Sequence, residues 1–147
     1  MAITASGLYG LTLEKFLIGT LAESWEAEDN KVLLVTDTEA PDFTLHDFRN
    51  DILAEVAGTG YTAGGVALTA TEITLAAGLL TFDAADVSWA SSTITGAMAA
   101  VHYFNVGTAA TDALGLLSDF VTAVSTTNGT LTVQWAAGGL WTCDFTP

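Results

Sequence analysis

Chemistry in this chain would have to come from a few residues. Gly58, Gly60, Gly64 and Gly65 are close enough together to suggest a loop that cradles phosphate. Their spacing is G-x-G-x-x-x-G, which misses the dinucleotide fingerprint, and no Gly-Lys-Ser/Thr follows. The next residues alternate like a strand, so no helix N-terminus faces an anion there. These glycines are expected to be structural turn residues. His46 stands among Asp42, Asp47 and Asp51, while His102 lies in an apolar run. Neither is spaced to an activated nucleophile, and there is no G-x-S-x-G elbow. His46 is expected at the surface and His102 in the core or an interface. Cys143 alternates with Trp141 and Phe145, which predicts an inward-facing small hydrophobe. Asp83 and Asp86 offer two carboxylates, whereas calcium takes about six to eight oxygens. Asn128-Gly129-Thr130 matches a glycosylation sequon, but Asn-Gly is also the preferred two-residue hairpin turn. No catalytic, cofactor-binding or metal-ligating set emerges, so neither an enzyme nor a cofactor is expected.

The elements holding these residues change character across Glu55–Gly65. Before that hinge, Leu8 to Leu21 reads as a helix. Tyr9, Leu13, Phe16, Leu17 and Leu21 form its apolar stripe, Thr12, Lys15 and Gly19 lie opposite, and Ser6 is the expected N-cap. Leu8, Leu11 and Ile18 widen the stripe beyond one packing face, which makes them candidates for contact with a neighbouring subunit. Glu23, Glu26, Glu28 and Asp29 surround Trp25 in a polar connector. Val32-Leu33-Leu34-Val35 is apolar on both pleat faces, as a covered central strand over 31–37 requires. Residues 42–57 read as an irregular, partly helical connector after Pro41.

After the hinge, short strands alternate with turns from Val66 to Thr146. A change of parity between Leu68 and Ile73 predicts a bulge or bend near Ala70-Thr71. Ala77-Gly78 predicts a tight turn. Ala97 to Phe104 is a second strand apolar on both faces. Asn128-Gly129 and Ala136–Gly139 predict the last hairpins. The expected fold is mainly β, a single domain over 1–147. It is an antiparallel β-sandwich or small barrel of about eight short strands with one N-terminal helix.

Composition narrows the classes of partner. The 147 residues include 17 acidic and three basic ones, a net charge of −14. Nucleic-acid binding relies on Lys and Arg displacing counterions, so no nucleic-acid partner is expected. Anionic membranes would repel the chain, and it has no apolar run of about 18 residues to span a bilayer. The first Lys is Lys15, so no secretory signal is expected and synthesis is expected in the cytoplasm. The single cysteine excludes an internal disulfide. Only 14% of residues are charged, against about 25% in average usage. Some apolar surface is therefore expected to be covered by another subunit. Residue chemistry alone reaches a soluble, mainly β domain with no recognisable active site.

The order of short motifs goes further. Glu28-Asp29-Asn30-Lys31-Val32-Leu33-Leu34-Val35 is compared with a strand pattern D-x-[IV]-K-V-x-L-[LV], which it meets at Lys31, Val32, Leu34 and Val35 but not at Glu28 or Asn30. His46 to Ile52 fits H-D-F-x-x-D-I, and Glu55 to Gly65 meets E-V-x-G-T-G-Y-x-x-G-G in full. Phe82 to Trp89 meets F-D-A-x-D-V-x-W, and Gly129 to Trp135 meets G-T-[FL]-T-[IV]-x-W. With the N-terminal helix, the chain resembles a family of small virion structural proteins of tailed bacteriophages. A departure falls at Ala97-Met98-Ala99-Ala100, where that family more often carries an Arg-Tyr type pair. The resemblance implies a virion protein similar in context to head decoration (cement) proteins, with tail or head–tail connector components as the alternative. A carbohydrate- or receptor-binding module is the reading from a different class, and exposed Trp25 or Trp141 would favour it. A −14 chain inside the head would face packaged DNA of like charge. The expectation is therefore a decoration protein on the outer surface of the head, bound to the major capsid protein and to itself. A trimer is expected because shells present local threefold sites.

Overall fold

The computed structural model describes residues 3–146. In chain order it contains β1 (Gly7–Leu8), α1 (Gly10–Leu17), β2 (Lys31–Thr36), β3 (Gly58–Thr59), β4 (Val66–Ala67), β5 (Glu72–Ala76), β6 (Leu79–Asp83), β7 (Val87–Ile94), β8 (Ala97–Tyr103), β9 (Leu114–Val124), β10 (Gly129–Val133) and β11 (Trp141–Asp144). A single 3₁₀ turn lies at Arg49–Asp51. The strands form three antiparallel sheets, ordered β1-β9-β8-β2-β4, β10-β7-β3 and β11-β6-β5. This is a mainly β fold with one N-terminal helix. It agrees with the sandwich reading, and no sheet closes into a barrel.

The five-stranded sheet is the middle layer because its two central strands are apolar on both faces. Val32 and Leu34 of β2 and Ala100 of β8 face the two small sheets, where they meet Phe82, Val87, Trp89, Leu131 and Val133. Leu33 and Val35, with Ala99, Val101 and Tyr103, face the other way, against Ile3, Tyr9, Phe43 and Ile52. Residues that look like an irregular connector in sequence thus form the third layer. Ala97 leaves the parity of its strand and joins the first cluster because the β8–β9 register shifts between Ala97 and Ala99.

Several expectations need correction. The helix begins at Gly10, not Leu8, because Gly7 and Leu8 pair with Leu117 and Leu116 of β9. Ser6 caps nothing in the helix, since its Oγ accepts the Asp119 N–H at 2.9 Å. The helix stops where Gly19 takes φ +73°, so Leu21 lies outside it. It is also rotated from the expected face. Thr12 is buried while Leu13, Leu17 and Ile18 are exposed. The cause is pairwise: Phe16 packs edge-on to Phe104, and Lys15 Nζ lies 2.7 Å from Asp47 and over the Phe48 ring. The expected final hairpins are absent too. Asn128 has φ +49°, but Gly129 opens β10, which pairs with β7 and not with β9. Ala136–Gly139 does turn the chain, yet β11 beyond it pairs with β6. The bend near Ala70-Thr71 is real, with Ala70 at φ +51°. There the chain leaves the five-stranded sheet for the sheet of β5 and β6.

The hinge is where β2 completes its hydrogen bonding. β8 covers one edge of β2, while β4 covers only Lys31 and Val32 on the other. Beyond that point the Leu34 N–H donates to the Tyr61 hydroxyl at 3.0 Å, and the Leu34 C=O accepts from Val56 N–H. The Tyr61 hydroxyl donates in turn to Glu55 Oε1 at 2.7 Å, and the Gly64 N–H donates to the same oxygen. Tyr103 Oη closes the knot by donating to Gly64 C=O. Gly60, Gly64 and Gly65 all have φ near +70 to +90°. A Cβ on Gly65 would also collide with the Val32 carbonyl, and one on Gly58 with that of Thr93. Two reasons for glycine therefore operate here, positive φ and close backbone approach. Tyr61→Phe should strand the Leu34 N–H, leave Glu55 Oε1 with the Gly64 N–H alone, and lower stability by about 1–3 kcal/mol. A urea melt would show this as a lower midpoint at unchanged slope. An unmoved midpoint would mean that the hydroxyl is dispensable.

Candidate functional site

None of the chemistry-bearing residues is assembled into a catalytic constellation. His102 lies fully buried on β8, stacked on Trp25 at 5.0 Å between centroids and 11° between planes. Phe82 and Phe104 meet it edge-on. Neither ring nitrogen has a hydrogen-bond partner, and a Cβ on Gly115 would collide with Nδ1. Burial alone lowers its pKa from 6.5 to about 3, so the imidazole is neutral. His46 is half-buried, and its Nδ1 accepts a long 3.4 Å bond from Asp42 N–H. The two histidines share no partner.

The remaining candidates are structural. Asp83 accepts the Ala84 N–H, and Asp86 accepts the Trp135 N–H. They serve turns and do not converge on a cation. Among the described residues, no group of three or more His, Cys, Asp or Glu side chains could hold a metal. Cys143 is exposed, contrary to expectation. Its parity is that of Trp141, but it lies farther along β11, past the end of the core. A depression of about 320 Å³ is lined by Glu23, Asp29, Asn30 and Asn105 among others, without a histidine or cysteine. Trp25 does not offer an open stacking face, whereas half-buried Trp141 lies against Trp25 and Phe82 and lines a depression with Ser6, Leu8 and Leu116. Trp25 meets Phe16, Phe82, His102, Phe104 and Trp141, with centroids 4.9 to 6.1 Å away. Trp135 is half-buried and donates its indole N–H to the Ala85 carbonyl.

What the fold does present is apolar surface. Of the suggested contact residues, Leu8 is half-buried in β1 and Leu11 is half-buried in α1. Ile18 is 65% exposed and is joined by Leu17 at 80% and Leu13 on the outer face of the helix. Sequence reasoning missed Leu13 and Leu17 as surface residues because it assigned them to the core face. A second exposed set, Leu75, Leu79 and Phe145, lies at the far end of the β11-β6-β5 sheet. The candidate site is therefore a set of exposed apolar residues on the helix and at the end of one sheet. No family model matches the chain, no curated protein matches it, and no solved structure matches it.

The buried imidazole generates a pH dependence. Between about pH 6.5 and 3 the unfolded chain binds a proton at His102 that the folded chain refuses. Stability from this group is thus complete above 6.5 and falls with acidification, by up to about 1.4 kcal/mol per pH unit. His102→Leu should remove that component, so the stability of the wild type should fall relative to that of the variant by up to about 1.4 kcal/mol per pH unit as the pH drops toward 4. Parallel curves from pH 7 to 4, followed by chemical denaturation, would refute a neutral buried imidazole.

Proposed function

We propose that this chain is a structural protein of a tailed-bacteriophage particle. It sits on the outside of the head and stabilises contacts between major capsid subunits. The observation that carries this reading is a helix whose outer face bears Leu13, Leu17 and Ile18 uncovered, on a chain with few charges. Apolar side chains grouped on one exposed element mark a contact surface. The motif order of the resembling virion family supplies the context, and the glycine motif has a structural explanation as the knot that completes β2. A net charge of −14 disfavours a place against packaged DNA and favours the outer surface. Bound copies would stabilise the shell by mass action. On this reading the protein takes no cofactor and performs no catalysis. It binds the major capsid protein and further copies of itself, and the oligomer is expected to be a homo-oligomer.

The test is binding of the purified chain to empty shells of the head protein it accompanies. Co-sedimentation at hundreds of copies per particle, with a raised shell melting temperature, is the expected result. A dozen copies or fewer, located at the tail or connector, would replace this reading with the tail alternative. Leu17→Glu should weaken shell binding about tenfold. Because Leu17 is exposed, that change should move the chain's own stability by no more than about 0.5 kcal/mol. Undiminished binding by the variant would clear the helix face of any role.

A further inference from the structure

We propose that a second copy of this chain pairs edge to edge with β5, about a twofold axis at Leu75. The argument rests on the sheet itself and is independent of the virion reading. Two cross-strand rows share one face of the β11-β6-β5 sheet. Ile73, Phe82 and Trp141 form the first row, which packs into the core. Leu75, Leu80 and Cys143 form the second, one step along the same face, where Leu75 is 67% exposed and Cys143 is exposed. Phe145 continues that line, also exposed at 63%. The opposite face carries Glu72, Thr74, Thr81, Asp83 and Thr142. The apolar pattern of the sheet therefore runs past the core it covers.

The edge of β5 is open in one defined place. The Ala77-Gly78 turn has φ +50° and +85°, the two-residue type I′ form, which makes Ala76 and Leu79 a hydrogen-bonded pair. Alternation then turns Ile73 and Leu75 away from β6. The Ile73 N–H confirms this direction, since it donates to Glu26 Oε1 at 3.0 Å on the outer side. Leu75 presents its N–H and C=O to the same edge, two residues farther on. β5 has no Pro, no Lys and no register shift, the usual devices that blunt an edge.

The occupant follows from charge and register. Each copy carries −14, so two copies can approach only where no carboxylates are opposed. Pairing centred on Leu75 sets Leu75 against the partner's Leu75, Thr74 against the partner's Ala76 and Glu72 against the partner's Gly78. The two Glu72 carboxylates stay at opposite ends. Ile73 keeps its bond to Glu26, because the exchange at the centre uses Leu75 alone. A longer register centred on Thr74 would need the Ile73 N–H that Glu26 already holds. The result is a six-stranded sheet with a continuous, charge-free apolar row across the twofold.

Light scattering on the full chain at tens of micromolar should give a dimer. Leu75→Glu places two carboxylates against each other and should raise the dissociation constant about 100-fold, with the circular dichroism unchanged and the same melting curve as the wild type at dilutions where both are monomeric. Leu75→Cys in a Cys143→Ser background is the positional test. A hydrogen-bonded antiparallel pair has its Cα atoms about 5.5 Å apart, inside the roughly 4.4–6.8 Å span of a disulfide. The introduced thiols should therefore crosslink within the dimer under mild oxidation, and those of Thr81→Cys in the same background should not. A wild-type monomer, an oligomer that survives Leu75→Glu, or dimers linked through the native Cys143 would each overturn the proposal.

Discussion

The second edge of β2 is the constraint on which the rest of this fold depends. Val32 to Val35 are fully buried on both faces, so every main-chain N–H and C=O along the strand must find a protein partner. β8 supplies one side in full. On the other side a regular strand covers only two residues, and the remainder is completed piece by piece by Ala54, Val56 and the Tyr61 hydroxyl. That repair fixes the path of residues 54–65. The path in turn sets Glu55 beneath Gly64 and Tyr103 against the Gly64 carbonyl. Burial pushes the Tyr103 hydroxyl up to about 12 despite the nearby Arg49, so it stays protonated as the donor the knot needs. The two tyrosines and the carboxylate act as one unit because removing any of them strands another buried polar group.

The layers around β2 were legible in the sequence wherever the signal was local. Apolar residues on both parities identified β2 and β8 as central strands, the parity slip located the bend at Ala70, and Ala77-Gly78 marked a true hairpin. Errors arose where long-range pairing overrode local preference. Asn128-Gly129 is a strong hairpin signal, yet β9 is already paired with β8 and β1 when the chain arrives there, so β10 crosses to β7. Leu8 fits a helical stripe, but the open edge of β9 takes Gly7 and Leu8 as a short strand. The helix face was misread because aromatic packing of Phe16 and the Lys15–Asp47 pair decided its rotation, and neither partner is near in sequence. Cys143 has the inward parity it was given, but parity cannot tell where along a strand the core ends. The outer apolar row stayed hidden for the same reason.

Charge also reads differently once the hydrogen bonds are known. Among the described residues, eleven of the 17 carboxylates accept a main-chain N–H: Glu26, Asp37, Glu39, Asp42, Asp51, Glu55, Asp83, Asp86, Asp112, Asp119 and Asp144. Glu39 holds Leu53 and Ala54 beside β2. Asp112, fully buried, holds Val106 and Gly107 as well as Arg49. Much of the acidity is therefore a consequence of many short strands. Their loops leave donors that neighbouring strands cannot reach, and an ionised carboxylate is a strong acceptor for them.

This use of acid has a consequence for the surface. Most carboxylates lie at loops and turns, with Glu14 on the helix and Glu72, Asp83, Asp119 and Asp144 on strands as exceptions, so repulsion between copies is greatest at the loops. Like charge then works as a filter on geometry: approaches through loops are penalised, and those that lay a neutral face against another surface are not. Leu13 and Leu17 on the helix, Ile18 at its end and Leu75 at the edge of its sheet are uncovered apolar residues, with Glu14 exposed beside the first three. With Lys15 and Arg49 already held in ion pairs inside the chain, charge on this protein steers mainly by exclusion. Specificity for a partner must then come from shape and from backbone edges, which are features that strand order sets and composition does not reveal.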